Sequence, residues 1–417
     1  MLKYIVHIIL FTFSSQIIYS QIPSDYTIGT WYKFKDAAVS YTFDDLTDNQ
    51  LPVAMPIFDQ YNFPMTFNVV INWTSSWSSL ADAAANGHEI ASHTVSHATL
   101  SNISINEQIT ELENSQNTIN SNIPGNQCVT IAYPNCNSGD QNTISQYYIA
   151  GRTCSGQINS ASPSNMYTIS SIICGSESQN TSANNLNNHV QSALNSNGWS
   201  VFLFHGIDGD GGYSSFQSSE LQSHLSYMDT HYDNYWIGTF ASVAQYIQER
   251  NSASISESTI SSDSLSVTIS DNVSNSLYNV PLSIRKEIPQ EWEDAQVYHN
   301  ENQISSNTIT INNTRYIEFE AVPDDGTIYI ANTAQSAEPP TPPQTVVLHE
   351  GWNIIGCPYG NTNIENALND IWNYVIEIKT FNEFYETSNT SDLNTLQEVT
   401  YGQGYIIKVS QDCEFNW

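Results

Sequence analysis

Ala37-Ala38-Val39-Ser40-Tyr41-Thr42-Phe43-Asp44-Asp45 is an apolar run, rich in Val, Tyr, Thr and Phe, that ends on two adjacent carboxylates. A run of this kind reads as a strand, and the C-terminal end of a barrel strand is where active sites collect. Successive side chains of extended chain diverge, so Asp44 and Asp45 are free to take different tasks, one holding a metal while the other handles protons. Further on, His93-Thr94-Val95-Ser96-His97 carries two imidazoles four apart. On one side of a helical turn these converge on a single ion and, with one carboxylate, form a two-His, one-carboxylate set with positions left for water and substrate.

Around this core of chemistry the chain alternates strand-like runs (Thr66 to Ile71, Val129 to Tyr133, Val201 to His205, Tyr235 to Phe240) with helical stretches such as Gln50 to Tyr61. That alternation predicts an α/β barrel over residues 21–250. A Ser-rich passage, Asn251 to Ser264, leads into short alternating strands that predict a β-sandwich over 251–335. A Pro-rich linker at 336–345, containing Glu338-Pro339-Pro340-Thr341-Pro342-Pro343, separates these from a small β-rich C-terminal module at 346–417. Residues 1–20, with Lys3 before an apolar stretch and the small Ser20 at the expected cut, read as a secretory signal peptide, so the mature protein is expected to be secreted or at the cell surface. The apolar core of that segment is shorter than the ~20 residues a spanning helix needs, and no later segment is expected to span a bilayer.

Only 10 Lys plus Arg stand against 42 Asp plus Glu, a formal charge of −32, which argues against nucleic acid or an anionic membrane as partner. In an exported chain the six cysteines are expected to form disulfides; Cys357 and Cys413 are expected to pair, while Cys128, Cys136, Cys154 and Cys174 allow three connectivities.

Seven of the ten histidines fall between His88 and His231. His205 ends the apolar strand Val201-Phe202-Leu203-Phe204, a barrel-mouth position, whereas His88, His189, His224 and His231 have no such placement and are read as structural or exposed. Between Asp36 and Glu249 the sole Lys or Arg is Arg152. In so base-poor a stretch a lone guanidinium is expected to satisfy a buried carboxylate, holding it ionised and oriented.

Thr42-Phe43-Asp44-Asp45, His93-Thr94-Val95-Ser96-His97, Tyr133-Pro134 and Leu203-Phe204-His205, in this order, resemble the motifs of polysaccharide deacetylases, the NodB-homology domains of carbohydrate esterase family 4. The resemblance covers about residues 35–250 and implies a distorted (β/α) barrel and metal-dependent removal of acetyl groups from sugars. Carried over by position, Asp44 is the general base, Asp45, His93 and His97 are the metal ligands, and His205 is the general acid. Asn135, in the loop after Pro134, is the positional match for the backbone N–H that holds the oxyanion.

Four departures stand out. Leu46 follows the aspartates where the family usually has Gly, and Ala132 stands where an Arg usually steadies the base, with Arg152 the candidate replacement. No Asp-x-x-Asp-Trp motif precedes His205, leaving Asp208 and Asp210 as candidate partners for it. Gly206 to Tyr213 is Gly-rich but acidic and without Lys, so it reads as a substrate-facing loop rather than a phosphate cradle.

Trp73, Trp77, Tyr133 and Tyr213 are candidate sugar-binding aromatics, since aromatic faces stack on pyranose rings. The expected activity is thus deacetylation of an acetylated polysaccharide or oligosaccharide, a chitin or other N-acetylglucosamine polymer first and acetylated xylan next. The expected cofactor is a divalent metal, zinc first, with cobalt, nickel, manganese and iron compatible with the same ligands. The alternatives are a metal-dependent amidase or esterase on a small molecule, and a non-catalytic glycan-binding or adhesion protein.

Overall fold

The structure is a computed structural model that describes residues 23–261, 263–333, 345–357, 362–380, 382–389, 393–400 and 403–416. The signal-peptide stretch and all but the last residue of the Pro-rich linker lie outside these. Strands are numbered along the chain. β1 is Tyr26–Ile28, β2 Ala37–Asp44, β3 Thr66–Val69, β4 Glu89–Ser92, β5 Thr130–Ala132, β6 Ala150–Arg152, β7 Ile172–Ile173, β8 Trp199–Phe204 and β9 Tyr235–Ile237. The helices among them are α1 Met55–Gln60, α2 Trp77–Ala85, α3 Ile105–Asn122, α4 Gln141–Ile144, α5 Ala183–Asn195, α6 Ser218–Thr230 and α7 Phe240–Ser252.

All eight residues of β2 are buried, as a central strand of a parallel sheet covered on both faces must be. From it the sheet runs β6-β5-β4-β3-β2-β8-β7, with β9 also on β2. The curled sheet closes through one parallel bridge, Arg152 to Ile169, where the N–H of Thr153 donates to the Ile169 carbonyl at 2.7 Å. This is the distorted (β/α) barrel expected from the alternation. Phe43, Phe58, Phe67, Phe202 and Phe204 pack in one core, with Phe43 and Phe204 stacked at 4.9 Å across the β2–β8 pair. Tyr133, taken as a sugar platform, belongs to this core instead. It is 2% exposed and its hydroxyl donates to the Tyr167 carbonyl. Gly151 on β6 makes room for it, since a Cβ there would sit 1.9 Å from the Tyr133 hydroxyl oxygen.

One cystine, Cys136–Cys154, joins the loop after β5 to the end of β6. It staples the rim of the barrel on the side where β2 and β8 end. Cys128 and Cys174 are buried thiols, and Cys413 is also a thiol, so the expected pairing of Cys413 with Cys357 is not formed.

Beyond the barrel, β10 is Ser254–Ser261, β11 Ser264–Ser270, β12 Leu282–Glu287, β13 Ala295–His299, β14 Asn302–Ile304, β15 Ser306–Ile311, β16 Thr314–Ala321 and β17 Thr327–Asn332. They form two sheets, β1-β12-β16-β15 and β10-β11-β17-β13-β14. β1, assigned by sequence to the barrel segment, is thus a strand of the following β region, pairing antiparallel with β12 from Tyr26↔Lys286 to Ile28↔Ile284. Lys286 is anchored there by Asp25 and by Glu257. The passage read as Ser-rich turns out to hold β10. By contact density the chain divides into two units, one running to Ser258 and resuming over Ser266–Tyr329, the other Thr259–Leu265 with Ile330 onward. The barrel therefore shares one unit with most of the first β region. The C-terminal module has its own core, in which Ile355, Ile378, Tyr405, Ile407 and Phe415 are buried.

Where α7 ends, Glu249 is 1% exposed and its Oε2 has no hydrogen-bond partner among the described residues. Burial, then Asp271 through its charge and a hydrogen bond, and then Asp324, push its carboxyl up to about 7. Arg250, next in sequence, is turned to the carbonyls of Thr30 and Ala161 instead. A folded-state value above the unfolded one means that the folded protein keeps a proton the unfolded chain has lost. Stability contributed here is lost as pH rises from the ordinary carboxyl range to about 7, and the loss is complete above it. Glu249→Gln is expected to flatten that slope and to raise Tm at pH 8 by about 2–4 °C, the size of ~1 kcal/mol in a unit of this length. Thermal melts of both proteins from pH 5 to 8 check it.

Candidate active site

The site stands on the C-terminal ends of β2, β4, β6 and β8. Asp44, the last residue of β2, is 3% exposed. Its Oδ1 accepts from Asn68 Nδ2 on β3 at 2.8 Å, and both its oxygens take Arg152 Nη2 at 2.5 Å. Arg152 reaches across from the end of β6 at 2% exposure, and its Nη1 donates to Ser171 Oγ at 2.9 Å. The lone guanidinium between Asp36 and Glu249 is therefore spent on the first aspartate. Burial alone raises the Asp44 pKa, but Arg152, followed by His93 and His205, pulls it down by more, so the carboxyl ends well below the usual range.

Asp45 turns the other way, in the left-handed region at φ 74°, and Leu46 follows at φ 53°. Two consecutive non-Gly residues in that region are strained, which is the local consequence of Leu46 standing where Gly would be at ease. The turn aims Asp45 Oδ1 at both imidazoles, 3.6 Å from His93 Nε2 and 3.6 Å from His97 Nε2.

His93 and His97 do not share a helical turn. They lie on a loop after β4 in which Thr94 and His97 have positive φ (69° and 61°), and the rings still meet, 4.9 Å apart and nearly edge-on. His93 Nδ1 lies 2.8 Å from the Ala132 carbonyl, which fixes that nitrogen as the protonated one and leaves the Nε2 lone pair facing Asp45. Glu111 on α3 holds the loop, accepting from the N–H groups of Val95 and Ser96 (2.8 and 2.9 Å) and from Ser96 Oγ.

One ligand atom each from Asp45, His93 and His97 lie within 4.8 Å of one another. Asp45 Oδ1 is buried with no hydrogen-bond partner among the described residues, and burial, then the charge of Asp44, pushes its carboxyl up to about 7. A carboxylate oxygen kept dry and unpaired between two imidazole Nε2 atoms is what a divalent cation relieves. The donor set therefore fits such an ion.

His205 follows β8 with Nε2 3.9 Å from Asp44 Oδ2 and 4.0 Å from Asp45 Oδ2. Burial lowers its pKa, with Asp44 opposing. Its Nδ1 is buried without a partner among the described residues. The two candidate partners are engaged elsewhere. Asp208 accepts from Ser218 at the start of α6, and Asp210 accepts from the N–H groups of Asn49 and Gly212. The remaining barrel histidines are structural, as expected; His224, for example, bridges Tyr41 and Asn187 in the core.

Of the aromatics, Trp73 is 56% exposed and stacks on His97 at 5.0 Å, and Tyr213 is 53% exposed with its ring edge-on to His205 at 5.0 Å. They stand beside His97 and His205, at the two ends of the Asp–His cluster. Trp77 opens α2 and packs half-buried against the barrel core, away from this position. Beside Trp73 a cleft of about 550 Å3 is lined by Leu46, Thr47, Met55, Ser76 and Asp82. Asn135 sits in the turn after Tyr133 at φ 55°, its side chain donating to Thr99. Asn68, Glu111, Ser171 and Gln50 all support the site and carry no motif. The one signal in sequence is a polar residue at an otherwise apolar strand position, as with Asn68 next to Phe67 and Val69.

Residues 32–150 match the family model described as polysaccharide deacetylase. A gellan lyase from Bacillus sp is 27% identical over 340 residues, covering 76% of this chain but only 14% of the lyase's own length. Similar solved structures include a family 4 acetyl xylan esterase from Clostridium thermocellum in complex with a cobalt ion, 18% identical with TM-score 0.36, covering 49% of this chain and 89% of that one. Another is the Xyl-CE4 domain of a multidomain xylanase from the hindgut metagenome of Trinervitermes trinervoides, 17% identical with TM-score 0.35, covering 50% of this chain and 89% of that one.

Proposed function

We propose, from the match of residues 32–150 to the polysaccharide deacetylase model, that this chain is an exported, divalent-metal-dependent hydrolase that removes N- or O-acetyl groups from a glycan. The observation that carries the proposal is the meeting of two functional sets within about 4 Å: the Asp45–His93–His97 donor set, and the Asp44 and His205 side chains. A polymer of N-acetylglucosamine is the leading substrate and acetylated xylan the next. With a net charge of −32 and its one mid-barrel cation buried on Asp44, the barrel suits a neutral chain better than an anionic one. The gellan lyase relative is named for a polysaccharide, which favours a polymer over a small molecule. Export is supported by the cystine Cys136–Cys154.

When bound, the divalent ion, zinc by preference, supplies Lewis-acid polarisation of the acetyl carbonyl and acidifies a water. Asp44, ionised under the hold of Arg152, takes the proton of the attacking water. Burial lowers the His205 pKa, so His205 starts neutral, and the proton it gives to the departing nitrogen or oxygen is the one Asp44 took from the water, passed on between side chains 3.9 Å apart. The backbone N–H of Asn135 stabilises the tetrahedral oxyanion, and Trp73 and Tyr213 stack on the sugar rings flanking the acetyl group.

The test is acetate release by protein lacking residues 1–20, from acetylated chitooligosaccharides, acetylated xylan and peptidoglycan, with chelator and with zinc restored. Release from one polymer, lost with chelator and regained with zinc, is the expected result. No release from any of them by protein shown to hold metal would move the reading to a small-molecule hydrolase or a glycan-binding protein.

A further inference from the structure

Resting on that hydrolase reading, we propose that Gln50 is a positioning residue that ties the base strand to the acid strand and thereby orients His205 through its backbone. His205 lacks the means by which a catalytic imidazole is usually aimed, because nothing among the described residues bonds its Nδ1. Its ring direction then depends on where the main chain holds it. That main chain is gripped from one short segment. Gln50 is 0% exposed, and its Nε2 donates to the Asp44 carbonyl at 2.6 Å and to the His205 carbonyl at 3.0 Å. Thr47 Oγ1 also donates to the His205 carbonyl at 3.1 Å, and Asn49 Nδ2 donates to that of Ile207 at 2.9 Å.

Among the described residues, Gln50 is thus the one side chain bonded to the backbone of both Asp44 and His205. The arrangement is costly where it stands. Gln50 Oε1 is buried with no partner among the described residues, and a buried unpaired amide oxygen is destabilising. Flipping the amide would put that oxygen against two carbonyls, so the donor end must face them. Gln50 also opens a π-helical turn, Gln50–Ala54, a rare geometry that recurs at functional positions. The strained pair Asp45–Leu46 lies just before it, and the bonds from Thr47 to Gln50 hold that turn against relaxation.

The test is Gln50→Met, which keeps the volume and removes both bonds, beside Thr47→Val, which removes one of the two donors on the His205 carbonyl. Gln50→Met is expected to lower kcat about 100-fold, the size of a ~1 Å misplacement, with KM changed less than about 3-fold and metal content unchanged. Thr47→Val is expected to lose about 3–10-fold in kcat, a graded effect that keeps the idea testable if Gln50→Met fails to fold. In 15N spectra of histidine-labelled protein, the His205 ring signals should broaden or split in Gln50→Met while those of His93 and His97 stay put. Unchanged kcat with unchanged His205 signals overturns the proposal. So does a fall in kcat, metal content and Tm together, which is the mark of a merely structural residue. If the unsubstituted protein releases no acetate from any substrate, the hydrolase reading fails separately, and the His205 ring signals alone decide whether Gln50 positions it.

Discussion

Asp44→Asn is expected to lower kcat/KM about 10²–10⁴-fold, the usual contribution of a positioned general base, while the protein keeps its full complement of metal. The two parts of this result separate because the side chains separate. Asp45, His93 and His97 form the candidate donor set, and the carboxylate of Asp44 is bonded to Arg152. The substitution also leaves the buried guanidinium of Arg152 without its counter-ion, and breaking a buried pair from one side costs about 3–5 kcal/mol. A fall in stability will therefore accompany the fall in rate, and the double variant Asp44→Asn with Arg152→Met tells the two apart. It should recover most of the lost Tm, since no charge is stranded, and none of the lost turnover. Turnover recovered along with Tm would remove Asp44 from the reaction and leave it a structural half of an ion pair.

Arg152→Met alone should be the most destabilising substitution in the barrel, about 3–5 kcal/mol at pH 8, because it strands Asp44 at 3% exposure beside a second carboxylate. The effect should depend on pH in a definite direction. In the unsubstituted protein the Asp44 pKa lies below its unfolded value, so the pair's stabilisation is fully present above the ordinary carboxyl range and is lost only as pH falls through it. Without Arg152 the largest remaining influence is burial, which raises the pKa, and stability then falls as pH rises instead. Denaturant titrations at pH 5 and pH 8 should show the variant losing more at pH 8. The acid limb of its rate profile should move upward for the same reason. A loss equal at both pH values would mean that Asp44 is not the group whose charge Arg152 holds.

Much of this site could be read in the chain before its fold was known, because the chemistry is carried by rare residues. A single Arg between Asp36 and Glu249 has few possible tasks, and adjacent aspartates at the end of an apolar run have few possible places. What could not be read is whatever depends on backbone conformation or on distance along the chain. Spacing suggests a helix for His93 and His97, yet two residues of positive φ bring the rings together on a loop, and no pattern of residue types announces that. Tyr133 looks like a sugar platform because it adjoins the Pro134 turn, but the missing side chain of Gly151 opens a slot that takes it inside. Asp208 and Asp210 lie near His205 in sequence but are engaged by Ser218 and by Asn49 and Gly212 instead. Gln50 carries no motif, and its contacts are backbone carbonyls, which leave no trace in residue identity. β10 escaped notice because its exposed serines supply no apolar period.

β1 has a consequence for how the chain is made. Tyr26–Ile28 is synthesised before the barrel strands, yet its mate, β12, is about 260 residues further along, as the Tyr26↔Lys286 register shows. The whole barrel must be synthesised before that strand is paired, so the nascent chain carries a bare edge strand while the barrel is being made. Closing so long a loop late links completion of the barrel unit to arrival of the second sheet. A gene fragment ending at residue 250, which would look like a complete catalytic domain, would yield a barrel trailing an unmated strand and prone to self-association.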